Sequence, residues 1–483
     1  MWFDIWREPT FTLGKLNSFE LDIRTGLIFI FSVLILIYFE RYHDKKAPPS
    51  CGGWIPWLGC AVQFGKQPLG FIKRKSQEFG SIFTLYVAGE RLTFLTDPKD
   101  FHYFFDNSDV DFQQAVQVPV QNLASISRTQ FYKYHTKLHD MVKGRLGPVR
   151  VGPLGSTLSG QLNQQFDKHI DLTEPQDLMM ITRRSMYASV LNTLFGEGNP
   201  LVHEKADYEE FLKRFITFDN DFELGVKLPS IFLPKWTAAK NYFLKRMALT
   251  FQQMRGQNTQ SDKLNMVDAL WDKLDGDEVT HKFGMLVMFA SIANGVPAAY
   301  WMLTYILTNE IVREKVLKEI NDVFKDWQGN GDCTIDEEDL KKLTYLKCCV
   351  YETIRLRSEG IIGRKVVKDT QIKGYNVAAG TMLMISPYWS HRDERYFTEP
   401  EMFKPERWEN SNTDIPGFVA FGGGRYQCPG RWFGMMSMQT FVAMFFLKYT
   451  CTVHSPIPAP SLIHLIGVQH PTSEFLISCS KKA

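Results

Sequence analysis

The 483-residue chain is predicted to be mainly α-helical with small β sheets, behind an amino-terminal membrane anchor. Three observations indicate this class: helical patterns dominate from about residue 130 to 325, two short segments have the composition of a β-hairpin, and an uncharged apolar stretch lies near the amino terminus. Hydrophobic residues make up 44% of the chain, which is enough to bury a large core.

The net charge and the cysteines exclude several functions. A formal charge of +2 without a basic stripe argues against nucleic acid as a partner. The eight cysteines are too sparse and irregular for a disulfide framework, and they include no CxxC pair. We therefore expect a reducing compartment and no structural zinc site.

The apolar stretch at residues 27–39 (LIFIFSVLILIYF) is predicted to be the membrane anchor. It covers about 20 Å as a helix, less than the roughly 30 Å of a hydrocarbon core, so its flanks must contribute. No small-residue cleavage site follows, which favours retention over removal as a signal peptide. Arg41, Lys45 and Lys46 favour a cytosolic body, although Arg24 weakens that bias. The predicted divisions are an extension (1–26), the anchor (27–39), a Pro/Gly linker (40–53) and the catalytic domain (54–483).

Turn-forming residues place the short β elements. SIFTLYV and RLTFLT, separated by Ala88-Gly89-Glu90, predict a β-hairpin, and Asp97-Pro98 then begins a helix. A second small β region is predicted at YNVAAGTMLMIS, where Gly380 marks a turn.

An apolar run at residues 279–309 predicts a long helix through the centre of the domain. A second membrane span is the alternative, but Asn294, Gly295 and Pro297 interrupt the run and no basic cluster follows it. Pro297 has no N–H to donate to the Ala293 carbonyl, so the helix should kink and open there.

The strongest chemical signal is FGGGRYQCPG at residues 421–430, followed by an apolar helical run. The glycines permit tight turns and the close approach of a flat cofactor. Cys428 stands at a helix start, with Pro429 suited to the first helical position. The helix dipole and free N–H groups favour the thiolate, the form of cysteine that binds metal. On this motif alone, an ordinary buried cysteine is the alternative.

This segment resembles the haem-binding loop of the cytochrome P-450 superfamily, Phe-x-x-Gly-x-Arg-x-Cys-x-Gly. Tyr426 stands at the family's arginine position, and Arg425 lies beside it. The resemblance implies the haem-thiolate fold and haem b, with Cys428 as the axial iron ligand and Arg425 toward a propionate. The matching residues are Phe421, Gly424, Cys428 and Gly430.

Two further motifs support the resemblance. Glu352 and Arg355 lie three apart on one helix face, which by itself is usually a solvated pair. Together with Arg407 in the segment PERW, they resemble the family's buried charge network behind the haem. Arg364 stands where relatives usually offer an arginine to a haem propionate.

The central helix departs from the family's usual acid and alcohol. Val296 and Pro297 occupy those two positions. We infer that the Ala293 carbonyl and the Asn294 amide hold the water that delivers protons, and that Pro297 opens the helix for it. Ala298 should line the same face and the substrate pocket. A tolerated kink without such a role is the alternative.

The other pocket residues are predicted on the segment at 112–126, which should wall the substrate site. His135 and His139 lie one helical turn apart, but without a third ligand a surface or propionate-side role is favoured over metal binding. Lys137 is a further candidate for a propionate contact. The predicted pocket residues are Phe112, Ala115, Val116 and Ala298.

The Asn-x-x-Pro arrangement at Asn294 and Pro297, with no Arg two before Cys428, resembles the branch with sterol 7-alpha- and 12-alpha-hydroxylases and prostacyclin synthase. Within that branch, four segments most resemble oxysterol 7-alpha-hydroxylases. They are WIPWLGCAVQFGKQPLGF, VDFQQAVQ, NGVPAAYW and KPERW. The resemblance implies an NADPH- and O2-dependent monooxygenase that hydroxylates an oxysterol such as 24-hydroxycholesterol at C7 alpha, in cholesterol catabolism and bile acid synthesis.

It also implies an endoplasmic reticulum membrane, a catalytic domain that faces the cytosol and contacts membrane lipid, and electrons from an NADPH-cytochrome reductase. The chain shows no nucleotide-binding motif of its own. Two alternatives stay open: a reductase-independent isomerase of a lipid peroxide, which NADPH dependence would separate, and a non-catalytic haem sensor or sterol carrier, which the spectrum of the resting iron would reveal.

Overall fold

The structure is a computed structural model that describes residues 23–35, 45–55, 57–256, 265–276, 278–327, 333–410, 415–462 and 464–482. Helices with small sheets make up this part of the chain, which confirms the predicted fold class. Residues 1–22 of the predicted extension, 36–39 of the predicted anchor and 40–44 of the linker lie outside the described residues.

The helices of the first half are Ile23–Ile35 (α1), Ala61–Lys66 (α2), Pro68–Phe79 (α3), His102–Phe105 (α4), Phe112–Ala124 (α5), Arg128–Arg145 (α6), Pro148–Val151 (α7), Leu154–His169 (α8), Leu178–Phe195 (α9) and Lys205–Asn220 (α10). Those of the second half are Phe222–Gly225 (α11), Pro234–Met254 (α12), Met266–Lys273 (α13), Thr280–Ile292 (α14), Gly295–Thr308 (α15), Glu310–Val323 (α16), Glu337–Lys342 (α17), Thr344–Arg357 (α18), Pro387–Ser390 (α19) and Arg431–Lys448 (α20). Short 3-10 turns occupy Pro98–Asp100, Ser230–Phe232, Pro405–Trp408 and Gly424–Tyr426.

The strands form three sheets, with orders β1-β2-β3-β9-β6-β4, β10-β11-β5 and β7-β8. They are Ser50–Cys51 (β1), Ile82–Val87 (β2), Glu90–Leu95 (β3), Val110–Asp111 (β4), Gln176–Asp177 (β5), Ile362–Val366 (β6), Thr370–Ile372 (β7), Tyr375–Val377 (β8), Met382–Ile385 (β9), Tyr449–Val453 (β10) and Leu476–Lys481 (β11).

The predicted hairpin is strands β2 and β3, which pair antiparallel from Ile82↔Leu95 to Val87↔Glu90. Ala88 (φ 48°) and Gly89 (φ 84°) connect them. Positive φ at both residues gives a two-residue turn the twist that antiparallel strands need. The second predicted β region is also confirmed, but its strands belong to different sheets: β8 pairs with β7, and β9 lies between β3 and β6.

The first residues of the folded domain lie inside the predicted linker. Ser50 and Cys51 pair in parallel with Thr84 and Leu85 of β2, so β1 adds an edge strand to the six-stranded sheet. The domain therefore begins before residue 54. Composition could not predict this, because the Pro/Gly-rich flanks hide a pairing that depends on a distant strand.

The predicted central helix is divided into α14 and α15, with a break at Ala293-Asn294. The amide of Ala298 bonds to the Asn294 carbonyl at 3.1 Å, and Pro297 lies in the first turn of α15, where an N–H would have no intrahelical partner. The predicted interruption near the middle of the apolar run is thus confirmed, as a break between two helices rather than a kink in one. Although the two helices together are apolar and long enough to cross a membrane, they are mostly buried, which confirms the predicted core position.

Helix α1 differs from α14 and α15 because its large apolar side chains are exposed. Within the described residues it is an apolar helix over Ile23–Ile35, which includes residues 27–35 of the predicted anchor stretch. An exposed apolar face of this kind is suited to lipid rather than to the protein core. The exposed side chains include Leu27, Ile28, Phe29, Ile30 and Phe31.

Candidate functional site

The glycine-rich segment at residues 421–430, called the cysteine loop below, contains the 3-10 turn at Gly424–Tyr426 and ends just before α20. The amide of Cys428 donates to the Phe421 carbonyl at 2.8 Å and closes the loop on itself. Gly424 has φ 64°, and a Cβ there would lie 3.1 Å from the Phe105 carbonyl oxygen. Glycine is therefore required at Gly424 both by its conformation and by the approach of α4.

Helix α20 begins at Arg431 rather than at the cysteine. Pro429 precedes the cap residue Gly430, so the prediction that it occupies the first helical position was wrong by two residues. The 3-10 turn and the bend at Pro429 separate the thiol from the helix axis. They nevertheless leave Cys428 beside the amino-terminal N–H groups of the helix.

The Cys428 side chain is exposed to solvent, yet it is surrounded by enough protein to be desolvated. Burial raises the pKa of its thiol, while the N–H groups of Gly430 and Arg431 and the charge of Arg431 lower it. Desolvation is the larger effect, so the helix start alone does not hold the sulfur as a thiolate. A metal cation beside the sulfur would favour the thiolate over the thiol.

Arg364 lies on β6 and reaches the loop from the side. Its Nη1 donates to the carbonyls of Phe104 and Phe105 at 2.8 and 3.0 Å, and its Nη2 donates to the Gly423 carbonyl at 3.2 Å. Within the described residues its Nε is buried without a hydrogen-bond partner, and burial lowers the pKa of the guanidinium. The guanidinium also lies 4.9 and 5.3 Å from the ring centroids of Phe104 and Phe105. A buried cation with these neutral partners suits an anionic group such as a carboxylate.

The predicted loop contact Arg425 is exposed, and its guanidinium lies 5.5 Å from the Tyr426 ring centroid. Tyr426 instead faces inward. Its ring stacks on Phe112 at 4.9 Å and lies 6.2 Å from His135 and 5.6 Å from His139. Tyr426, at the family's arginine position, is therefore part of an aromatic cluster that connects α5 and α6 to the loop.

The two histidines are held by different partners. His135 Nδ1 lies 3.1 Å from Gln113 Nε2, and burial lowers its pKa to about 4. His139 Nε2 lies 3.4 Å from the Gln427 carbonyl. Both side chains thus border the cysteine loop, whereas Lys137, another predicted propionate contact, pairs with exposed Asp275 at 3.2 Å.

Glu352 is the centre of a charge network in which Glu352 and Arg355 are fully buried and Arg407 is partly buried. Its Oε1 accepts from Arg355 Nη2 at 2.8 Å, Arg407 Nε at 3.0 Å and the Lys404 amide at 2.9 Å. Its Oε2 accepts from Arg355 Nε and Trp408 Nε1, both at 2.9 Å. The structure thus brings together the three predicted residues, and two neighbours saturate the carboxylate.

His391 connects this network to the cysteine loop. Its Nδ1 lies 3.0 Å from the Arg355 carbonyl, and the Val419 amide donates to its Nε2 at 3.1 Å. Burial lowers the pKa of His391 to about 3, so the ring is neutral and one nitrogen donates while the other accepts. His391 could not be identified from the sequence, because a single histidine after a short helix carries no pattern.

On the opposite side, the break between α14 and α15 contacts the loop that joins β10 to β11. The Val468 amide donates to Asn294 Oδ1 at 3.0 Å. Gly467, with φ 98°, comes so near that a Cβ would lie 2.0 Å from that oxygen. Asn294 itself is exposed, while Ala293, Pro297 and Ala298 are buried around it. No sequence pattern indicated this loop contact.

The predicted pocket segment is helix α5, which packs against β6, α6 and α14. Phe112 is used in the Tyr426 stack, and Val116 packs against the main core. Ala115 is half-buried and Ala298 is buried. Phe112 and Ala298 therefore have different surroundings. Phe112 packs against Tyr426 of the cysteine loop, and Ala298 lies beside the helix break.

These features fit a flat anionic cofactor with a central metal. The solvent-exposed thiol can supply a soft ligand, the unpartnered Arg364 Nε can face a carboxylate, and Gly424 removes the side chain that would prevent close approach. The charge network and His391 lie behind the loop and fix its position.

Comparison with known proteins gives the same picture. The family model for cytochrome P-450 matches residues 49–477. The chain is 35% identical over 455 residues to 24-hydroxycholesterol 7-alpha-hydroxylase of Mus musculus, which covers 93% of this chain and 96% of that protein. It is 34% identical over 468 residues to the Homo sapiens protein of that name, with 95% and 99% covered.

Proposed function

The chain belongs to the cytochrome P-450 family, and from that premise we propose that it hydroxylates an oxysterol, 24-hydroxycholesterol, at the C7 alpha position. The observation that carries this proposal is 35% and 34% identity to two relatives of that name over 93% and 95% of the chain. The physiological context would be cholesterol catabolism and bile acid synthesis.

Haem bound through a cysteine supplies the redox chemistry by which this family inserts one atom of O2 into a substrate. We assign Cys428 as that ligand because its sulfur is solvent-exposed within the glycine-rich loop. Arg364 is assigned to a propionate, since its buried Nε requires an acceptor. Arg425 is the weaker assignment, because its side chain is exposed beside Tyr426.

The chain's own residues must also hold protons near the substrate. Asn294 Oδ1 accepts from Val468, so we assign water binding to Nδ2, which can donate to a water oxygen. The carbonyl of Ala293 precedes the break, and Pro297 cannot donate to it. A water held between these two groups would do the work of the family's acid and alcohol.

The family supports the proposals for the redox partner and the location. A monooxygenase of this kind requires a reductase, O2 and a sterol, and we propose a membrane-bound NADPH-cytochrome reductase. The exposed apolar face of α1 supports an anchor in the endoplasmic reticulum membrane. The basic residues that follow favour a catalytic domain on the cytosolic side.

A direct test is to incubate membranes containing the full chain and the reductase with NADPH and a panel of sterols. We expect a product heavier by one oxygen from 24-hydroxycholesterol, identified by mass and by comparison with the authentic 7-alpha product. Cholesterol without the side-chain hydroxyl is the matched control for substrate choice. If protein with a full complement of haem converts none of the hydroxylated sterols, the proposal is contradicted.

A second function is favoured by one observation. Val296 and Pro297 stand where a proton-delivering acid and alcohol are usual, and an isomerase that rearranges a lipid peroxide needs neither. Such an enzyme would act without NADPH or reductase. Omitting both from the incubation and supplying a lipid endoperoxide distinguishes the two functions.

A further inference from the structure

Cys451 and Cys479 lie opposite each other on the antiparallel strands β10 and β11. Their sulfur atoms are 3.4 Å apart, and both cysteines are reduced. No part of the proposed oxygenation chemistry uses them. The pair lies in the sheet β10-β11-β5, away from the cysteine loop in sequence.

The pairing register decides whether these two side chains can be linked. The His454 amide bonds to the Leu476 carbonyl at 2.9 Å, and the Lys482 amide bonds to the Lys448 carbonyl at 2.8 Å. Hydrogen-bonded pairs in an antiparallel ladder alternate with pairs that are not hydrogen-bonded. Three positions from the first pair, Cys451 and Cys479 therefore form a non-hydrogen-bonded pair.

At such positions the Cα atoms are about 4.5 Å apart and the side chains lie closest together. That distance lies within the range that disulfides span, roughly 4.4 to 6.8 Å, though at its short end. The sulfur atoms need to approach by only about 1.4 Å to reach bonding distance near 2.0 Å. A link at the short limit is easier to reduce than a relaxed one.

The two thiols also differ in a way that suits a stepwise reaction. Cys451 is half-exposed on β10, an edge strand, whereas Cys479 is buried on the central strand. Their sulfur atoms lie 3.4 Å apart, within hydrogen-bonding distance of each other. The more accessible Cys451 sulfur can therefore react first with an oxidant in solution, and the Cys479 sulfur already lies beside it for the second step.

We propose that Cys451 and Cys479 are a reversible redox modification site that forms a disulfide with a small-molecule disulfide such as oxidised glutathione as the oxidant. The Cys451 thiolate attacks one glutathione sulfur, so an S–S bond forms to that half, and the other half leaves as a thiolate that takes up the proton lost by Cys451. Cys479 then attacks the Cys451 sulfur and expels the second glutathione thiolate, which takes up the proton from Cys479. The protein loses two electrons and the glutathione disulfide gains them.

The position of the link gives it a consequence for the site. Strands β10 and β11 are the two ends of the loop that bonds Asn294 through the Val468 amide. The same loop accepts from Trp301 Nε1 at the Gln469 carbonyl, 2.7 Å away. A covalent bond at the base restricts the motions by which the loop could leave the helix break.

The experiment uses the full chain with haem, in detergent, equilibrated in buffers of varied glutathione to glutathione disulfide ratio. Free thiols are then blocked, and tryptic peptides are analysed by mass without reduction. Because no Lys or Arg lies between Lys448 and Lys481, trypsin releases both cysteines on one peptide, residues 449–481. We expect this peptide to carry no blocking group and to be lighter by two hydrogen atoms than its reduced form, and this species should disappear as reduced glutathione increases. Cys348 and Cys349, neighbours on α18 whose side chains diverge, should be blocked as free thiols throughout.

A second measurement addresses the loop. Oxidation should slow hydrogen exchange at residues 464–470, and dithiothreitol should reverse the change. Cys451→Ser should abolish both the link and the slowed exchange, whereas Cys333→Ser, at a buried cysteine outside this sheet, should abolish neither. If both cysteines of the unaltered, folded protein are recovered unlinked at every glutathione ratio, or each carries its own glutathione, the proposal is wrong. That result would leave the oxysterol function untouched.

Discussion

The Val468 amide donates a 3.0 Å hydrogen bond to Oδ1 of Asn294, and so ties the carboxy-terminal loop to the break in the central helix. This contact divides the Asn294 amide into two halves. Oδ1 holds the loop, and Nδ2 is the half proposed to bind water. Substitutions that change one half at a time can separate a structural role from a role in proton delivery.

Asn294→Leu should remove both halves. It leaves the buried Val468 N–H without its acceptor, which costs about 1–3 kcal/mol in the free energy of unfolding. It should also raise the ratio of peroxide released to product formed, because the proposed water loses its donor. Both quantities can be measured on one preparation, by urea denaturation and by a peroxide assay during turnover.

Asn294→Asp is the matched variant, because it keeps an acceptor for Val468 and loses the N–H donor. We expect near-normal stability with an altered ratio of peroxide to product. If the ratio stays normal in both variants, Asn294 serves only to hold the loop, and proton delivery must be assigned elsewhere.

Glu352→Gln should destabilise the protein strongly. Arg355 has no exposed surface, and it would be left buried without its counter-charge. An uncompensated buried charge costs about 3–5 kcal/mol. The five hydrogen bonds described for the Glu352 carboxylate all come from N–H donors. The NH₂ group of a glutamine side chain would therefore point at one of these donors and lose that hydrogen bond.

Thermal or urea unfolding of the haem-containing protein measures this loss. Glu338→Gln is the control, since Glu338 is an exposed residue whose contact is a surface pair with Lys341. Such pairs contribute little. Equal stability of the two variants would show that the Glu352 network is not needed for the fold.

Part of this site could be predicted because it is local in sequence. Glu352 and Arg355 share a helix face by spacing alone, and the glycines around Cys428 signal a turn whatever surrounds them. The hairpin at β2 and β3 likewise follows from two alternating segments and the turn at Gly89. In each case the partners lie within a few residues of each other.

The rest depends on contacts between distant segments. Val468 meets Asn294 across 174 positions, and His391 meets Val419 only after the chain has folded around α19. The pairing of Cys451 with Cys479 requires a register that alternation alone leaves open. An interruption was expected from Pro297, but not the complete division of the helix at Ala293-Asn294, where the Asn294 side chain bonds to the distant Val468 amide.

His391 should make stability depend on pH. Its folded pKa of about 3 lies below the ordinary 6.5, so below pH 6.5 the unfolded chain takes up a proton that the folded protein does not. The contribution of neutral His391 to the free energy of unfolding is therefore fully present above pH 6.5 and is lost as the pH falls toward 3. Protonation would place an N–H at Nε2, opposite the Val419 amide that now donates to it.

His391→Asn offers a donor and an acceptor but does not titrate. The difference in unfolding free energy between the native protein and this variant should shrink as the pH is lowered from 6.5. His454→Asn, at an exposed histidine, is the control and should leave the pH dependence as it is. A difference that stays constant with pH would mean that His391 takes up a proton in the folded protein as readily as in the unfolded chain.

Arg364 should control how firmly the protein retains haem. Its Nη atoms bond to carbonyls of Phe104, Phe105 and Gly423, and its Nε is the proposed propionate donor. Arg364→Lys keeps the charge but loses the planar set of donors. A charge-assisted hydrogen bond contributes about 1.5–3 kcal/mol, so we expect haem to leave at least about tenfold faster.

The rate is measured by transfer of haem to an excess of an apo-globin, which needs no turnover. Arg425→Gln tests the second predicted propionate contact: an exposed side chain stacked near Tyr426 should change the rate little, whereas a true propionate partner should change it as Arg364→Lys does. Tyr426→Phe retains the stack on Phe112 and removes only the hydroxyl. If Tyr426→Phe accelerates haem loss and Arg364→Lys does not, the tyrosine has replaced arginine as the propionate donor and Arg364 only pins α4 to the loop.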